Sequence, residues 1–294
     1  MTTLDTRSPA PDTVGALRVL TLAHPQGCRT YLLADPDSKQ AMAVDVHLDL
    51  VDDVVQRVEQ EGWTLPYVVD THTHADHPSG SAAVAERLRS TRIAHEKALH
   101  EGVSRHPRDG DALHLGDRAV TVLHAPGHTP DHVVFTLEEE GSMFAGDCVL
   151  NGNTATFEDL GEYTESLKKM AQELPAGGTL YPSHGDVVTD GTGKLSEYLR
   201  HRAMREEMFM DALREDWSQR PERGGMTASE LCHSVYARQV SYLVLKTACE
   251  GITRQHLGKM TEEGRVRVEG GKGGWGFGGE VRYVPSAGEM ARAR

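Results

Sequence analysis

Residues 71–80 read Thr-His-Thr-His-Ala-Asp-His-Pro-Ser-Gly, which contains the pattern H-x-H-x-D-H. The members of this pattern are His72, His74, Asp76 and His77. Imidazole nitrogens and carboxylate oxygens are the ligands that zinc and non-haem iron prefer. The chain holds 16 histidines, yet composition alone would produce this pattern in only roughly a few of a thousand such chains. The stretch therefore predicts a metal site rather than a solvated surface.

The neighbouring residues predict where this stretch lies in the fold. Residues 67–70 have the apolar character of a short buried strand, and residues 81–88 form an alanine-rich run typical of a helix start. The stretch thus joins the end of a strand to a helix. Proteins built from strands and helices commonly place their functional sites at such ends.

Three more ligand-type residues follow predicted strands further along the chain. His128 lies in the Pro-Gly turn 125–132, after a predicted strand over 119–124. Asp147 follows Gly146 at the tip of a strand over 143–145, and His184 lies in the turn 182–186 after a strand over 179–181. Repeated delivery of such residues at strand ends predicts that they converge on one edge of the fold.

The alternation of elements predicts the fold class. Further strands are expected over 17–22, 31–34, 41–46, 92–95 and 133–137, and helices over 49–61 and 162–174. The segment from 96 to 108 is expected to be helix and loop, and His95, His100, His106 and His114 are expected to be surface histidines. Strands that alternate with helices and hairpins predict an α+β fold with mixed sheets and helices packed outside them.

The character of the chain changes after Lys194. A long amphipathic helix is predicted over 195–213, a capping box at Thr227–Glu230 opens another, and a third is predicted over 242–257. Two strands, 265–269 and 280–284, flank a glycine-rich tip, 270–279, and resemble a small winged-helix module. We predict that the module serves packing or dimerisation. The alternative is a substrate lid or nucleic-acid contact through an aromatic residue of the tip such as Trp275.

These patterns divide the chain into four parts. We predict a loose tail over 1–14, a metal-binding domain over 15–193, a helical winged-helix-like domain over 194–284 and a second tail over 285–294.

Composition limits the classes of function. The net charge is −13, and residues 200–294 carry 16 Lys/Arg against 13 Asp/Glu, which leaves 15 against 31 for residues 1–199. An acidic metal-bearing part argues against a non-specific nucleic-acid binder. No run of about 18 apolar residues is present, so no membrane span is expected. The absence of an apolar signal core in the first residues and four widely spaced cysteines without a C-x-x-C pair predict a cytoplasmic protein with reduced thiols.

All of these motifs occur in the order found in the metallo-β-lactamase superfamily of hydrolases, which residues 17–190 resemble. The resemblance implies a four-layer αββα sandwich with two metal ions at one edge, zinc in the first place and iron or manganese as alternatives. It implies that one metal is held by His72, His74 and His128 and the other by Asp76, His77 and His184, with Asp147 bridging both. A metal-bridging hydroxide would be the nucleophile, and Asp76 would orient it or carry its proton.

Closer resemblances leave three functions open. Residues 144–167 and 198–207 resemble the β-lactamase-like protein 2 group, although Ser183 stands where that group usually has glycine. Some members of that group cleave single-stranded RNA, and some fungal relatives cleave thioesters from carrier proteins. The first half resembles persulfide dioxygenases, whose single iron would here be held by His72, His128 and Asp147. The leading prediction is a hydrolase of a small-molecule or carrier-bound acyl thioester; the alternatives are an RNA endonuclease and an iron dioxygenase.

Several other residues are predicted to lie near the site or at partner surfaces. The candidates for substrate contact or for support of the ligands are His132, Asn151, Asn153, His201 and Arg202. Cys148 neighbours a predicted ligand, and we expect it to be a small apolar core residue. A homodimer is the expected assembly, and no membrane partner is expected.

Overall fold

The computed structural model describes residues 17–74, 78–99, 101–152, 154–236, 249–270 and 281–292. The chain divides into two compact units, Met1–Tyr198 and Leu199–Arg294. None of the helices in these ranges combines the length and apolar character that crossing a bilayer requires.

The first unit contains two five-stranded sheets. The first sheet has the order β1-β2-β3-β4-β5 and consists of β1 Arg18–Ala23, β2 Arg29–Asp35, β3 Gln40–Val44, β4 Thr64–Val69 and β5 Thr91–Ile93. The second has the order β10-β9-β8-β7-β6 and consists of β6 Ala112–Leu115, β7 Arg118–His124, β8 Val133–Leu137, β9 Ser142–Gly146 and β10 Thr179–Pro182. β3-β4, β4-β5 and β9-β10 pair in parallel, and the other neighbours pair antiparallel.

The helices of this unit cover the outer faces of the sheets. They are α1 Val51–Glu61, α2 Ser81–Leu88, α3 Leu160–Glu173 and the first part of α4 Gly191–Gln219. α1 and α2 pack their buried side chains against the first sheet. α3 packs beside the second sheet, where the hydroxyl of Tyr163 donates to the carbonyl of Cys148 at 2.6 Å. The predicted αββα order of layers is confirmed.

The alternation of side chains along the strands explains why the sheets stack. In β2, Tyr31 and Leu33 lie in the core between the two sheets, whereas Leu32 and Ala34 lie in the core beneath the helices. Successive side chains of a strand point to opposite faces, so a strand covered on both faces is apolar throughout. Phe135 and Phe144 of the second sheet meet Tyr31 in the inter-sheet core.

Several boundaries differ from the predicted ones. α1 begins at Val51 because residues 48–50 form a 3-10 turn, which His47 caps by accepting from the N–H of Asp49 at 3.1 Å. α1 ends at Gly62, which has the left-handed conformation of the predicted C-cap (φ 66°). Strand β6 was not predicted, and the described residues between 94 and 108 form turns rather than the predicted helix.

The second unit is built from helices and one strand pair. It contains the rest of α4, then α5 Ala228–Tyr236, α6 Glu250–Glu262, β11 Val266–Glu269, β12 Arg282–Pro285 and α7 Ala287–Arg292. β11 and β12 pair antiparallel. The capping box is present, since Glu230 N–H donates to Thr227 Oγ1 at 3.2 Å and Thr227 N–H donates to Glu230 Oε2 at 2.9 Å. The winged-helix assignment stays a prediction, and residues 271–279 of its tip lie outside the described residues.

The predicted loose tail over 285–294 is wrong in its first part. Residues 287–292 form helix α7, and the buried carboxylate of Glu289 forms ion pairs with Arg214 and Arg265. Two arginines distant in sequence hold this segment, so composition near the end of the chain gave no sign of its order. The two units meet in the chain within α4, a few residues after the predicted boundary at 193.

Candidate metal centre

Four predicted ligands come together at one edge of the sandwich. Donor atoms of His72, His74, His128 and Asp147 all lie within 4.8 Å of one another. His72 and His74 follow β4, His128 follows β7 and Asp147 follows β9, so both sheets contribute. Three of these side chains are buried and His74 is half-buried. The prediction that distant strand ends converge is confirmed for these four residues.

A hydrogen-bond chain fixes the proton on His72. Thr71 Oγ1 donates to Asp45 Oδ2 at 2.7 Å and lies 2.9 Å from His72 Nδ1. Because its own proton is used toward Asp45, the hydroxyl accepts from His72 Nδ1–H. The lone pair of the neutral ring is then on Nε2, the nitrogen that faces the group. Such support from outside the ligand shell sets tautomer and orientation in protein metal sites.

Asp45 also joins two loops of the site. Its Oδ1 accepts from the backbone N–H of Thr71 at 2.8 Å, and its Oδ2 accepts from Ser183 Oγ at 3.0 Å. The carboxylate is buried, and residue 45 has a left-handed backbone (φ 51°). Asp45 therefore ties the loop that carries His72 to the loop that carries His184. The sequence contained a signal for it, since an aspartate directly after an apolar strand is the same feature that predicted Asp147.

A hydrogen bond to the backbone of another loop fixes the tautomer of His128 as well. Its Nδ1 donates to the carbonyl of Thr156 at 2.8 Å, which leaves the Nε2 lone pair toward the group. The loop that carries His128 depends on Gly127, which has φ 116°. A Cβ at this position would lie 2.1 Å from the backbone nitrogen of Tyr163. Glycine thus allows the His128 loop to approach the start of α3 closely.

The distances within the group fit a metal ion. His74 Nδ1 lies 3.2 Å from His72 Nε2 and 3.1 Å from His128 Nε2. Asp147 Oδ2 lies 4.0 Å from His72 Nε2 and 3.7 Å from His128 Nε2. Ligands of a tetrahedral zinc ion with bonds of about 2.0–2.1 Å are separated by about 3.3–3.4 Å. Three imidazoles and one carboxylate are also a donor set typical of zinc or iron.

His132 supports Asp147 rather than facing a substrate. Its Nε2 accepts from the N–H of Asp147 at 3.1 Å, so its Nδ1 carries the proton and lies 3.4 Å from the sulfur of Cys148. The sulfur in turn donates to the carbonyl of Ala125 at 3.5 Å. His132 is fully buried. Burial also raises the pKa of the Cys148 thiol well above its usual range, so Cys148 is the inert core residue expected.

The other predicted site residues are not among the four ligand-type side chains that come together, or they lie outside the described part of the chain. Asp76, His77 and Asn153 belong to the latter set. His184 is half-buried in its turn and is not a member of the group of four found among the described residues. Asn151 joins two loops, since its Nδ2 donates to the carbonyl of Asp186 at 3.1 Å. The predicted role of these residues in a second metal site or in a substrate pocket stays a prediction.

His201 and Arg202 lie on α4 in the second unit, half-buried and buried respectively. Their predicted contact with substrate stays a prediction.

The predicted surface character of one histidine is wrong. His95 is buried, and its ring stacks on that of His124 with centroids 4.3 Å apart. Together with His106 and Arg108 the pair lines a cavity of about 420 Å³. Burial and the neighbouring His124 lower the pKa of His95, which favours the neutral form of the His95 ring.

The chain is similar to known proteins in sequence and in fold. Residues 47–184 match the metallo-beta-lactamase superfamily. The chain is 32% identical over 247 residues to an atrochrysone carboxyl ACP thioesterase of Aspergillus chevalieri, a match that covers 83% of this chain and 79% of the relative. It is 31% identical over 271 residues to a beta-lactamase-like protein 2 homolog of Drosophila melanogaster, with 83% and 85% covered. The crystal structure of a beta-lactamase domain protein from Burkholderia ambifaria has the same fold, with a TM-score of 0.71 at 21% identity over 95% of this chain and 96% of that one.

Proposed function

This chain belongs to the metallo-β-lactamase superfamily, and we propose that it acts as a metal-dependent hydrolase of acyl thioesters carried by an acyl carrier protein. The thioesterase relative supports the substrate class, because its similarity extends over most of both chains. The observation that carries the proposed chemistry is the group of four ligand-type side chains, in which hydrogen bonds orient two imidazoles with their Nε2 lone pairs inward.

In this proposal His72, His74 and His128 would hold one zinc ion, and Asp147 would contribute its carboxylate to this ion and to a second one. Asp76, His77 and His184 are proposed to complete the second site. Bound zinc supplies an acidic water near neutral pH and a positive charge beside the scissile carbonyl. Burial of three of the four described ligands supports this proposal, since electrostatic interactions strengthen where water is excluded.

The chain's own residues have three tasks in the reaction. The hydrogen bonds of Thr71 and Thr156 hold the two imidazoles in one tautomer, so no proton must leave Nε2 of His72 or His128 on binding. His132 holds the backbone of Asp147 in place. We propose that Asp76 takes the proton of the attacking water and passes it to the thiolate leaving group. The products are a carboxylic acid and a free thiol.

The test compares hydrolysis of carrier-bound and small acyl thioesters by release of free thiol. We expect turnover by the zinc-loaded protein and a loss of more than about a hundredfold in the variant His128→Ala. The matched control is His114→Ala, which removes an exposed histidine of β6 and leaves turnover unchanged. Metal analysis of the same preparations is expected to show zinc as the bound metal.

Two other results would contradict the proposal. Cleavage of single-stranded RNA without thioester turnover would make the protein a nuclease. Oxidation of glutathione persulfide by a preparation with one iron ion per chain would make it a dioxygenase.

A further inference from the structure

A second cluster of ligand-type side chains lies in the first unit and shares no residue with the metal centre. We propose that His24, His47 and Asp49 form a separate binding site for a transition-metal ion such as Zn²⁺ or Cu²⁺. One donor atom from each of the three lies within 4.8 Å of the others. Unlike the residues of the H-x-H-x-D-H stretch, these three come from no recognisable motif.

The fold brings these residues together from two strand ends. His24 follows β1, and its N–H donates to the carbonyl of Cys28 at 2.9 Å within a tight turn. His47 follows β3, and its N–H donates to Thr30 Oγ1 at 3.2 Å. Asp49 lies in the 3-10 turn before α1. The main chain at His24 and His47 is therefore fixed by hydrogen bonds before any ion binds, which lowers the entropy cost of assembling the ligands.

The side chains are placed for metal binding. The N–H of Gln26 donates to His24 Nδ1 at 3.3 Å, so the other nitrogen, Nε2, carries the proton and donates to Asp49 Oδ2 at 3.0 Å. A metal ion would replace that proton between the two atoms. The ring of His47 stacks on His24 with centroids 3.9 Å apart, and its Nδ1 lies 4.0 Å from Asp49 Oδ2. These separations lie on either side of the roughly 3.3 Å between zinc ligands.

Metal binding requires a rearrangement at His47. Its Nδ1 accepts from the N–H of Asp49 at 3.1 Å, and coordination through this nitrogen would exchange that hydrogen bond for a metal bond. The two rings are stacked and inclined by only 28°, so binding through both rings also requires His47 to rotate out of the stack until its lone pair points toward that of His24.

The donor set indicates which ion binds. Two imidazoles and one carboxylate favour zinc and copper over magnesium and calcium, which prefer oxygen ligands alone. The side chain of His24 is only 7% exposed whereas that of Asp49 is 68% exposed. One ligand is thus held by packing while the carboxylate faces solvent, which gives the ion an entry path and leaves room for water as a further ligand.

The test counts metal ions in the full-length protein. Wild type, His47→Ala and Asp49→Asn are loaded with zinc, freed of excess metal and analysed by mass spectrometry of the metal. We expect each variant to hold one ion fewer per chain than wild type. His114→Ala, an exposed histidine outside both clusters, is expected to match wild type. His128→Ala is expected to lose metal from the centre and keep the ion at this site.

Copper supplies a second readout at the same site. In protein loaded with Cu²⁺, the part of the electron paramagnetic resonance signal that wild type shows and His47→Ala lacks is expected to carry nitrogen coupling from two imidazoles. Asp49→Asn retains the shape of the side chain, so it decides the matter if His47→Ala fails to fold. An equal zinc count in wild type and Asp49→Asn would overturn the proposal.

Discussion

Replacing Asp45 with asparagine tests how the protein fixes the proton of His72. In the native chain Thr71 Oγ1 donates to Asp45 Oδ2 and accepts from His72 Nδ1–H. An amide nitrogen in place of Oδ2 would donate to Thr71 Oγ1, which turns the hydroxyl proton toward His72. The imidazole proton then moves to Nε2, the nitrogen that faces the metal group. Asparagine tolerates the left-handed backbone at residue 45, so the substitution preserves the main chain.

The magnitudes follow from the contacts of Asp45. Loss of a residue that orients a metal ligand costs about 10–100-fold in metal affinity, which is about 1.4–2.8 kcal/mol. Oδ2 accepts from Thr71 at 2.7 Å and from Ser183 at 3.0 Å. Changing two hydrogen bonds to a charged acceptor into neutral ones costs about 1 kcal/mol each. We therefore expect Asp45→Asn to lose about 2 kcal/mol of unfolding free energy as well.

Zinc affinity is measured by competition with a chromophoric chelator, and stability by urea unfolding. The matched control is Asp35→Asn, which makes the same change in a buried carboxylate that accepts instead from the N–H groups of Asp37 and Ser38. This control is expected to leave zinc affinity unchanged. If Asp45→Asn bound zinc as tightly as wild type, the hydrogen bonds that link Asp45 to His72 through Thr71 would not control the tautomer of His72.

Three further substitutions test other parts of the fold. Gly127→Ala places a Cβ against the backbone of Tyr163, so we expect a loss of about 3–5 kcal/mol in unfolding free energy by urea denaturation. Thr227→Ala removes the N-cap of α5 and is expected to cost about 1 kcal/mol in the same assay. Burial, with Arg202 and Lys259 acting in the same direction, lowers the pKa of His256 to about 3. Below pH of about 6.5 the unfolded chain therefore binds the proton first, and stability falls by up to about 1.4 kcal/mol per pH unit down to about pH 3, a slope that His256→Leu should remove.

Each of these substitutions has a control within the chain. Gly258→Ala adds a methyl group in α6 where no atom lies within 4 Å, and it should not destabilise the protein. Thr227→Ser keeps the capping oxygen and should retain stability. The exposed His233 provides the control for pH dependence, because its removal should leave the slope unchanged. Equal stability of Gly127→Ala and wild type, or equal slopes with and without His256, would contradict the respective argument.

Features that depend on neighbours in the chain could be predicted from the sequence. The alternation of residues 31–34 between the two cores, the left-handed Gly62 at the end of α1 and the capping box at Thr227 are local consequences of side-chain size and backbone preference. The ligand types of the metal centre were also predictable, because His72 and His74 lie in one short motif. His128 and Asp147 could be added because each follows a strand.

Other features depend on contacts between distant residues. Helix α7 is held by ion pairs from Glu289 to Arg214 and Arg265, which no local pattern signals. The short strand β6 exists because it pairs with β7. That pairing is local, since Leu115 lies opposite Arg118 across a two-residue turn, and β6 was missed although its partner is the next strand. The order of α7, in contrast, depends on partners 24 and 75 residues earlier in the chain.

The sequence by itself determined which residue types stand at the strand ends, and through the resemblance it determined the superfamily. Only the tertiary structure decided which nitrogen of each imidazole faces the metal group, because Asp45 and Thr156 set the protons from loops far along the chain. The meeting of His24 with Asp49 was likewise decided by strand pairing. Coordination and hydrogen bonding act over about 2–3 Å, and separations of that size between distant residues exist only once the sheets have stacked.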